Sequence, residues 1–424
     1  MAPPPLLLRV YAGLADLAAP LLYSRVAKRL AGQSVSSARI AERRGSATRL
    51  RPDGPLIWFH GASVGETLSI LPLVQVLRAE RPDIHILVTS VTATSAEILA
   101  KRLPKDVIHQ FAPIDTRAAL RRFHTHWSPD LLVLVESEIW PQTIRSCRER
   151  DVPVVLLNAR LSAKSLDNWR KLGSASRWLF SQFSLIIAQT AETAAKLEAL
   201  GAPRVRVGAN LKAAAPPPPD DPVARRSLTD ALNGRPVWLA ASTHEGEEAA
   251  ILDAHVTLRA KHADLCLILA PRHPNRASDI MQLARDRGLT VSRRSAGVAG
   301  VGAVYLADTI GDMGLLYRLS PITLLAGSFV PVGGHNPWEA ACGTAILHGP
   351  LVANSQADYD RLDAAGGSIA VTADDLSVKV SHLLGSPDTA RKMATAAEDC
   401  KAAQSDGTAD LVDDLVALME RRTR

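Results

Sequence analysis

Residues 56–66 read L-I-W-F-H-G-A-S-V-G-E. Four apolar residues, Leu56 to Phe59, lead without interruption to His60. Gly61, Ser63 and Gly65 then make a flexible turn, and Glu66 opens a helical pattern that runs to Glu80. An unbroken apolar strand, a glycine turn and a helix form the repeating unit of a parallel sheet covered on both faces. The same unit recurs outward from this stretch. Further strand candidates are 84–89, 107–111, 131–135, 154–158, 185–189 and 205–208, with helical stretches at 95–103 and 193–200 between them.

The alternation stops at three alanines, Ala213 to Ala215, and four prolines, Pro216 to Pro219, followed by Asp220, Asp221 and Pro222. Consecutive prolines cannot continue a helix or an inner strand, and they make a stiff extended spacer. Strand candidates resume at 237–241, 265–270, 304–306, 322–326 and 345–348, and 373–422 read as helical. The expected fold is α/β, with two Rossmann-like, doubly wound domains over 31–215 and 223–424 and a linker over 216–222. Sheets of this kind bind ligands beyond the carboxyl ends of their strands. Two such domains are expected to face each other across a cleft.

Of the 424 residues, 47% are hydrophobic and 22% charged, which is the composition of a globular protein. Cys147, Cys266, Cys342 and Cys400 form no C-x-x-C pair, which argues against a disulfide scaffold or a thiolate zinc site. Aromatic residues at 4% speak against stacking platforms for single strands, so no nucleic-acid partner is expected. Charge is uneven. Residues 1–215 carry 29 basic and 17 acidic side chains, whereas 216–424 carry 20 and 26. A basic half can face nucleic acid, an anionic membrane or an anionic substrate.

The first segment bears on that choice. Residues 6–23, LLLRVYAGLADLAAPLLY, are apolar but broken by Arg9, Asp16 and Pro20, whereas a spanning helix wants about 20 clean apolar residues. No positive charge precedes the run, as a secretory signal would need, and the basic cluster follows it. Residues 1–30 therefore read as an apolar segment lying in or anchored to a membrane, with basic residues on anionic headgroups. An ordinary buried helix is the competing reading.

The unusual residues sit at strand ends. Glu66 either complements a helix dipole or acts as a general base. Glu136 and Glu138, in V-E-S-E-I-W-P, share one face if the chain stays extended. They would then raise one another's pKa, bind cationic groups or form salt bridges. Lys212, in V-G-A-N-L-K, stands where the first half enters the linker. The second half carries A-S-T-H-E-G-E-E (241–248), A-P-R-H-P-N-R (270–276), A-D-T-I-G-D-M-G (307–314) and G-G-H-N-P-W-E-A-A (333–341). The last places Pro337 at a helix start and Glu339 in its first turn, where N–H groups could hold phosphate and the carboxylate ribose hydroxyls. His244, Glu245, Glu247 and Glu248 lack the second histidine of a zinc-binding H-E-x-x-H, and a structural or capping role fits them better. His124 and His126 fit metal binding no better.

These motifs, in this order, resemble the 3-deoxy-D-manno-octulosonic acid (Kdo) transferase family of lipopolysaccharide core synthesis. The resemblance runs from about residue 6 to the C-terminus. It is carried by H-G-A-S-V-G-E, V-E-S-E-I-W-P, N-A-R-L-S-A-K-S, A-S-T-H-E-G-E-E, P-R-H-P and G-G-H-N-P-W-E-A-A. It implies a GT-B glycosyltransferase that needs no metal or other cofactor. It also implies an N-terminal membrane anchor, and transfer of Kdo from CMP-Kdo to a lipid A precursor, lipid IVA, with inversion. Inner-membrane phospholipids and the cytoplasmic face are the implied surroundings.

By this resemblance Glu66 stands at the catalytic base, and Glu136 and Lys212 stand at the transition-state stabilisers. Pro271, Arg272, Ile310, Gly311, Asp312, Asn336, Pro337, Trp338 and Glu339 stand at CMP contacts, with Ser242 and Thr243 as further donor contacts. The family often has M-G-E where this chain has I-G-D, a Leu at Trp338, and Phe-Asp after Lys212 where this chain has alanines. A GT-B sugar-nucleotide epimerase, or a glycosyltransferase with a soluble acceptor, shares the strand-end glycines and glutamates. The apolar N-terminus speaks against both. A nucleotide-sugar-binding scaffold without activity is the non-enzymatic alternative, and the intact Glu66, Glu136 and Lys212 speak against it.

Overall fold

A computed structural model describes residues 3–161, 163–208, 210–297, 300–405 and 408–423. Ser162 of the N-A-R-L-S-A-K-S stretch and Ala209 of V-G-A-N-L-K lie outside the described residues. The chain forms two units, 1–215 together with 405–424, and 216–404.

The first unit holds seven parallel strands: β1 (Leu56–His60), β2 (His85–Ser90), β3 (Ile108–Phe111), β4 (Leu131–Val135), β5 (Val154–Ala159), β6 (Leu185–Ala188) and β7 (Val205–Val207). Their order is β3-β2-β1-β4-β5-β6-β7, so the direction of winding reverses between β1 and β4. Side chains alternate across the sheet. Trp58, Leu132 and Leu156 pack on one face against Phe123, Trp127 and Phe180. Ile57, Phe59, Val133 and Val155 pack on the other against Leu71, Leu73 and Leu77.

The second unit is built the same way. Its strands are β8 (Val237–Thr243), β9 (Cys266–Pro271), β10 (Val291–Arg293), β11 (Val304–Leu306), β12 (Ile322–Leu325), β13 (Ala345–His348) and β14 (Ser368–Ala370). They run parallel in the order β10-β11-β9-β8-β12-β13-β14, and the reversal falls between β8 and β12.

The structure departs from the sequence reading in four places. Strands β10 and β14 were not expected; each is three residues long, sits at a sheet edge and is partly exposed, so neither carries an apolar run. The helical pattern from Glu66 to Glu80 splits into helices at Val64–Ser69 and Leu71–Glu80. Pro72 lacks an N–H and clashes with the preceding turn, so the chain must restart there.

Residues 405–424, expected in the second domain, belong to the first. In the helix Thr408–Thr423, Leu411, Val412, Leu415, Leu418 and Met419 lie on one stripe and join the Leu71–Leu77 core. Burying each such side chain stabilises by about 1.5–3 kcal/mol. The proline segment is the fourth departure. It does not stand free as a spacer: Pro218 and Pro219 lie against the helix Met313–Leu319, and Arg318 Nη1 donates to Pro218 O at 3.1 Å. A Cβ on Gly314 would meet Pro219 O at 2.2 Å, so only glycine admits this approach.

The apolar N-terminal run extends into a 26-residue helix, Leu6–Ala31, that includes Arg25, Lys28 and Arg29. Leu8, Ala12 and Leu30 are buried against the first unit. Tyr11 Oη donates to Asp115 Oδ2 at 3.0 Å, and Arg117 N donates to Asp16 Oδ1 at 2.9 Å. Leu6, Leu14, Leu17 and Leu21 remain exposed, Leu17 at 80%. By length and composition this helix is able to cross a membrane.

Candidate active site

The reversal between β1 and β4 leaves a crevice at their carboxyl ends, where sheets of this type hold ligands. The loop after β1 carries Glu66, and the loop after β4 carries Glu136 and Glu138. Ser63 is the N-cap of the helix Val64–Ser69, and Glu66 is its third residue. The Ser63 hydroxyl accepts from Glu66 N at 3.3 Å, while Glu66 Oε2 accepts from Ala62 N at 2.7 Å and Ser63 N at 3.2 Å. This reciprocal pairing is a capping box. Both bonds fall on Oε2, and among the described residues Oε1 has no hydrogen-bond partner. The two readings of Glu66 are therefore compatible, because the cap fixes one oxygen and leaves the other to accept a proton.

Glu136 and Glu138 are not the extended pair expected from alternation. The strand ends at Val135, and Glu136 adopts φ 57°, a left-handed conformation that costs energy for a residue with a side chain. The turn sends the two carboxylates to different partners. Glu136 Oε1 pairs with Lys212 Nζ at 2.6 Å, and both side chains are largely buried. Lys212 is set by a short helix, Leu211–Ala214, in which Leu211 and Ala213 are buried and Asn210 Oδ1 accepts from Lys212 N at 3.0 Å. Glu138 Oε2 meets His60 Nε2 at 3.3 Å and accepts from Trp140 Nε1 at 2.6 Å. His60 Nδ1 in turn lies 2.9 Å from Thr89 Oγ1.

The electrostatics follow from this geometry. Burial raises the Glu66 carboxyl, the negative charge of Glu138 raises it further, the bonds to Ser63 oppose the rise, and Glu136 adds to it. Burial would also raise Glu138, but the His60 contact and the Trp140 N–H hold it below the ordinary range. One carboxylate thus stays ionised while its neighbour is made more basic, a division of labour suited to proton transfer.

In the second unit the reversal between β8 and β12 brings together the loops 244–247 and 326–336. Glu247 is fully buried and accepts four N–H groups: His244 N at 2.9 Å, Gly327 N at 2.7 Å, Ser328 N at 2.9 Å and Phe329 N at 2.9 Å. Ser242, at φ 58°, breaks the β8–β9 register and turns its carbonyl toward His335 Nε2 at 3.2 Å. Burial pushes His335 down to about 4, so it is neutral and donates through that nitrogen. His244 Nε2, 3.1 Å away, can then only accept from it. Gly327, at φ 69°, leaves room for the His335 ring, which a Cβ would meet at 2.8 Å. Among the described residues no group of three or more His, Cys, Asp or Glu is placed to hold a metal ion.

Residues 38–215 match the family described as "3-Deoxy-D-manno-octulosonic-acid transferase (kdotransferase)". The chain is 33% identical over 418 residues to the 3-deoxy-D-manno-octulosonic acid transferase of Bordetella pertussis, covering 94% of this chain and 96% of that one. It is 32% identical over 396 residues to the enzyme of the same name from Haemophilus influenzae, covering 90% and 92%. This chain belongs to the Kdo transferase family. It is a glycosyltransferase. A glycosyltransferase from Rickettsia africae matches its fold with a TM-score of 0.59 at 12% identity, over 88% of this chain and all of that one. The UDP-GlcNAc 2-epimerase of Neisseria meningitidis matches with 0.58 at 15%, over 87% and 100%. Both likenesses speak to the GT-B fold alone.

In this Kdo transferase the residues expected at the nucleotide fall into two groups. Pro271 ends β9, and Arg272, fixed by its N–H on Thr243 O at 3.0 Å, is exposed. Ile310, Gly311 and Glu339 are also exposed, and Ser242 and Asn336 are half-buried. Four side chains are withdrawn instead, Pro271 among them. Thr243 is fully buried and donates its hydroxyl to Glu248 Oε1 at 3.0 Å. Trp338 is fully buried, so its indole packs the domain rather than meeting solvent, and Pro337 is buried beside it.

Asp312 is held by Arg294 through two bonds of 2.7 and 2.8 Å, which keep its carboxyl below the ordinary range and engage both of its oxygens. The expected helix at Pro337 is a single 3-10 turn, Pro337–Glu339. His60 reads from sequence only as the end of a strand, whereas Glu247 fills the structural, capping role expected of it. A strand-end histidine signals nothing until the topology sets it opposite Glu138.

The Glu138 charge on Glu66 yields a prediction. A general base works deprotonated, so with Glu66 in that role transfer rises with pH through its pKa. Glu138→Gln removes a neighbouring negative charge and lowers that pKa, so the acid limb of kcat/KM moves to lower pH. A limb that stays in place or moves upward in this variant contradicts the coupling.

Proposed function

We propose that this enzyme moves Kdo from CMP-Kdo to a hydroxyl of a lipid A precursor, lipid IVA, with inversion, at the cytoplasmic face of the inner membrane. The observation that carries the reading is the Glu66 carboxylate, tied at Oε2 by two N–H groups and open at Oε1, beside the Glu136–Lys212 pair. The acceptor oxygen attacks the anomeric carbon of Kdo. The bond from that carbon to the CMP phosphate oxygen breaks, and the acceptor proton passes to Glu66 Oε1.

Cationic groups offset the charge that leaves. Lys212 faces the Kdo carboxylate, and Arg272 the phosphate of CMP. Exposed N–H groups of the Ile310–Gly311 turn, Asn336 and the exposed Glu339 complete the nucleotide contacts. In this reading cations and N–H groups supply what a metal would otherwise supply.

The N-terminal helix attaches the enzyme to membrane phospholipids. It presents an exposed leucine face, with Arg25, Lys28 and Arg29 toward its end for anionic headgroups. Mass spectrometry of the lipid product, after incubation with CMP-Kdo and tetra-acylated precursor, tests the assignment. The expected product is the precursor plus one or more Kdo units. Turnover of UDP-sugars without any use of CMP-Kdo rejects it.

A further inference from the structure

Beside the carboxylates the first unit contains a cavity of about 220 Å³. Tyr11, Ala15, Leu22 and Val26 of the N-terminal helix form one wall, and Trp58, Ala112 and Ile114 at the strand ends form the other. Tyr11 and Leu22 are 37% and 42% exposed. His60 and Trp140 also line the cavity. The lining thus joins the N-terminal helix, whose leucines face outward, to two side chains that contact Glu138.

Apart from Arg43 Nε, which is buried without a hydrogen-bond partner among the described residues, the polar groups of the wall are largely engaged. Asp115, its one carboxylate among the described residues, already accepts from Tyr11 Oη, Gln142 N, Thr143 N and Thr143 Oγ1. Trp58 Nε1 donates to Thr89, and Arg43 Nη1 donates to Ala112 O. A sugar would find few partners here, whereas hydrocarbon suits such a lining. Across Ala15–Asp16 and Gln142–Thr143 lies a second groove of about 480 Å³, where Arg117, Arg121, Arg145 and Arg150 outnumber Asp16 and Glu149. A slot for a chain next to a cationic groove fits an anionic lipid and not a neutral hydrocarbon.

We propose that the cavity between the N-terminal helix and the strand ends receives a fatty acyl chain of the acceptor, and so brings its sugar hydroxyl to Glu66. This rests on the lipid acceptor assigned above. The test compares detergent-solubilised acceptors with long and short acyl chains, using the full chain and two filled variants, Ala112→Phe and Ala15→Trp. The first fills the buried wall. The second acts from a half-buried helix position that tolerates bulk if the first misfolds.

For the wild type, KM falls at least tenfold from short to long chains. In the variants that dependence is lost, while kcat with the short-chain acceptor and the affinity for CMP-Kdo stay as they were. Equal chain-length dependence in wild type and variants, or none in the wild type, overturns the cavity assignment and leaves the transferase reading standing. Absence of Kdo transfer to every acceptor overturns the transferase reading itself.

Discussion

Glu66→Gln lowers kcat by about 10²–10⁴-fold, the share a positioned general base contributes, and leaves the dissociation constant for CMP-Kdo unchanged. The substitution separates the two duties of the residue. A glutamine can keep the capping box, because its amide oxygen still accepts from Ala62 N and Ser63 N, so the helix Val64–Ser69 remains anchored. What it cannot do is take a proton at Oε1. Ala in place of Glu66 loses both duties and confounds a fold change with a chemical one. Circular dichroism and donor binding that match wild type, together with the loss of turnover, isolate the chemistry. Turnover by Glu66→Gln within a factor of a few of wild type removes the base from this position.

Lys212→Met lowers kcat by about 10²–10³-fold, the scale for deleting one group that stabilises developing charge. It has a second consequence. Glu136 loses its partner at 2.6 Å and stands as a largely buried, unpaired carboxylate near Glu66. The added negative field raises the Glu66 carboxyl further, so the acid limb of the rate profile moves to higher pH. The double variant Lys212→Met/Glu136→Gln separates the effects. The limb returns toward its wild-type position while kcat stays low, and the two substitutions are not additive, as expected for residues in contact. Wild-type kcat in Lys212→Met confines the lysine to a structural ion pair.

The position of Glu66 was legible in the chain because three local signals coincide there: an apolar strand, a glycine turn and an acidic third residue of a helix. None of them depends on distant residues. The roles of Glu136 and Glu138 depend on what lies opposite, and that is fixed by the strand order. β1 and β4 are neighbours in the sheet yet more than 70 residues apart in sequence, so the meeting of His60 with Glu138 has no local signature.

The same holds for the helix Thr408–Thr423. Its apolar stripe announces burial but not which of two similar cores receives it. The resemblance alone places Trp338 and Thr243 at the donor, and the direction of their side chains has no local signal: both turn inward, one to fill the core and the other to donate to the buried Glu248. Glu247 sits one residue before Glu248 and organises two loops through four N–H groups. A structural or capping role for this loop was legible in the sequence, but not the donors that Glu247 meets, because three of them lie about 80 residues away.

The central claim is that one carboxyl, made more basic by burial and by two like-charged neighbours, takes the acceptor proton. Single-turnover transfer followed against pH for wild type and Glu66→Gln tests it most directly. The account predicts an acid limb in the wild type that lies above the ordinary carboxylate range, and a slow residual rate in the variant that is flat across the same interval. A variant that keeps the wild-type limb contradicts it, because the titrating group is then some other residue.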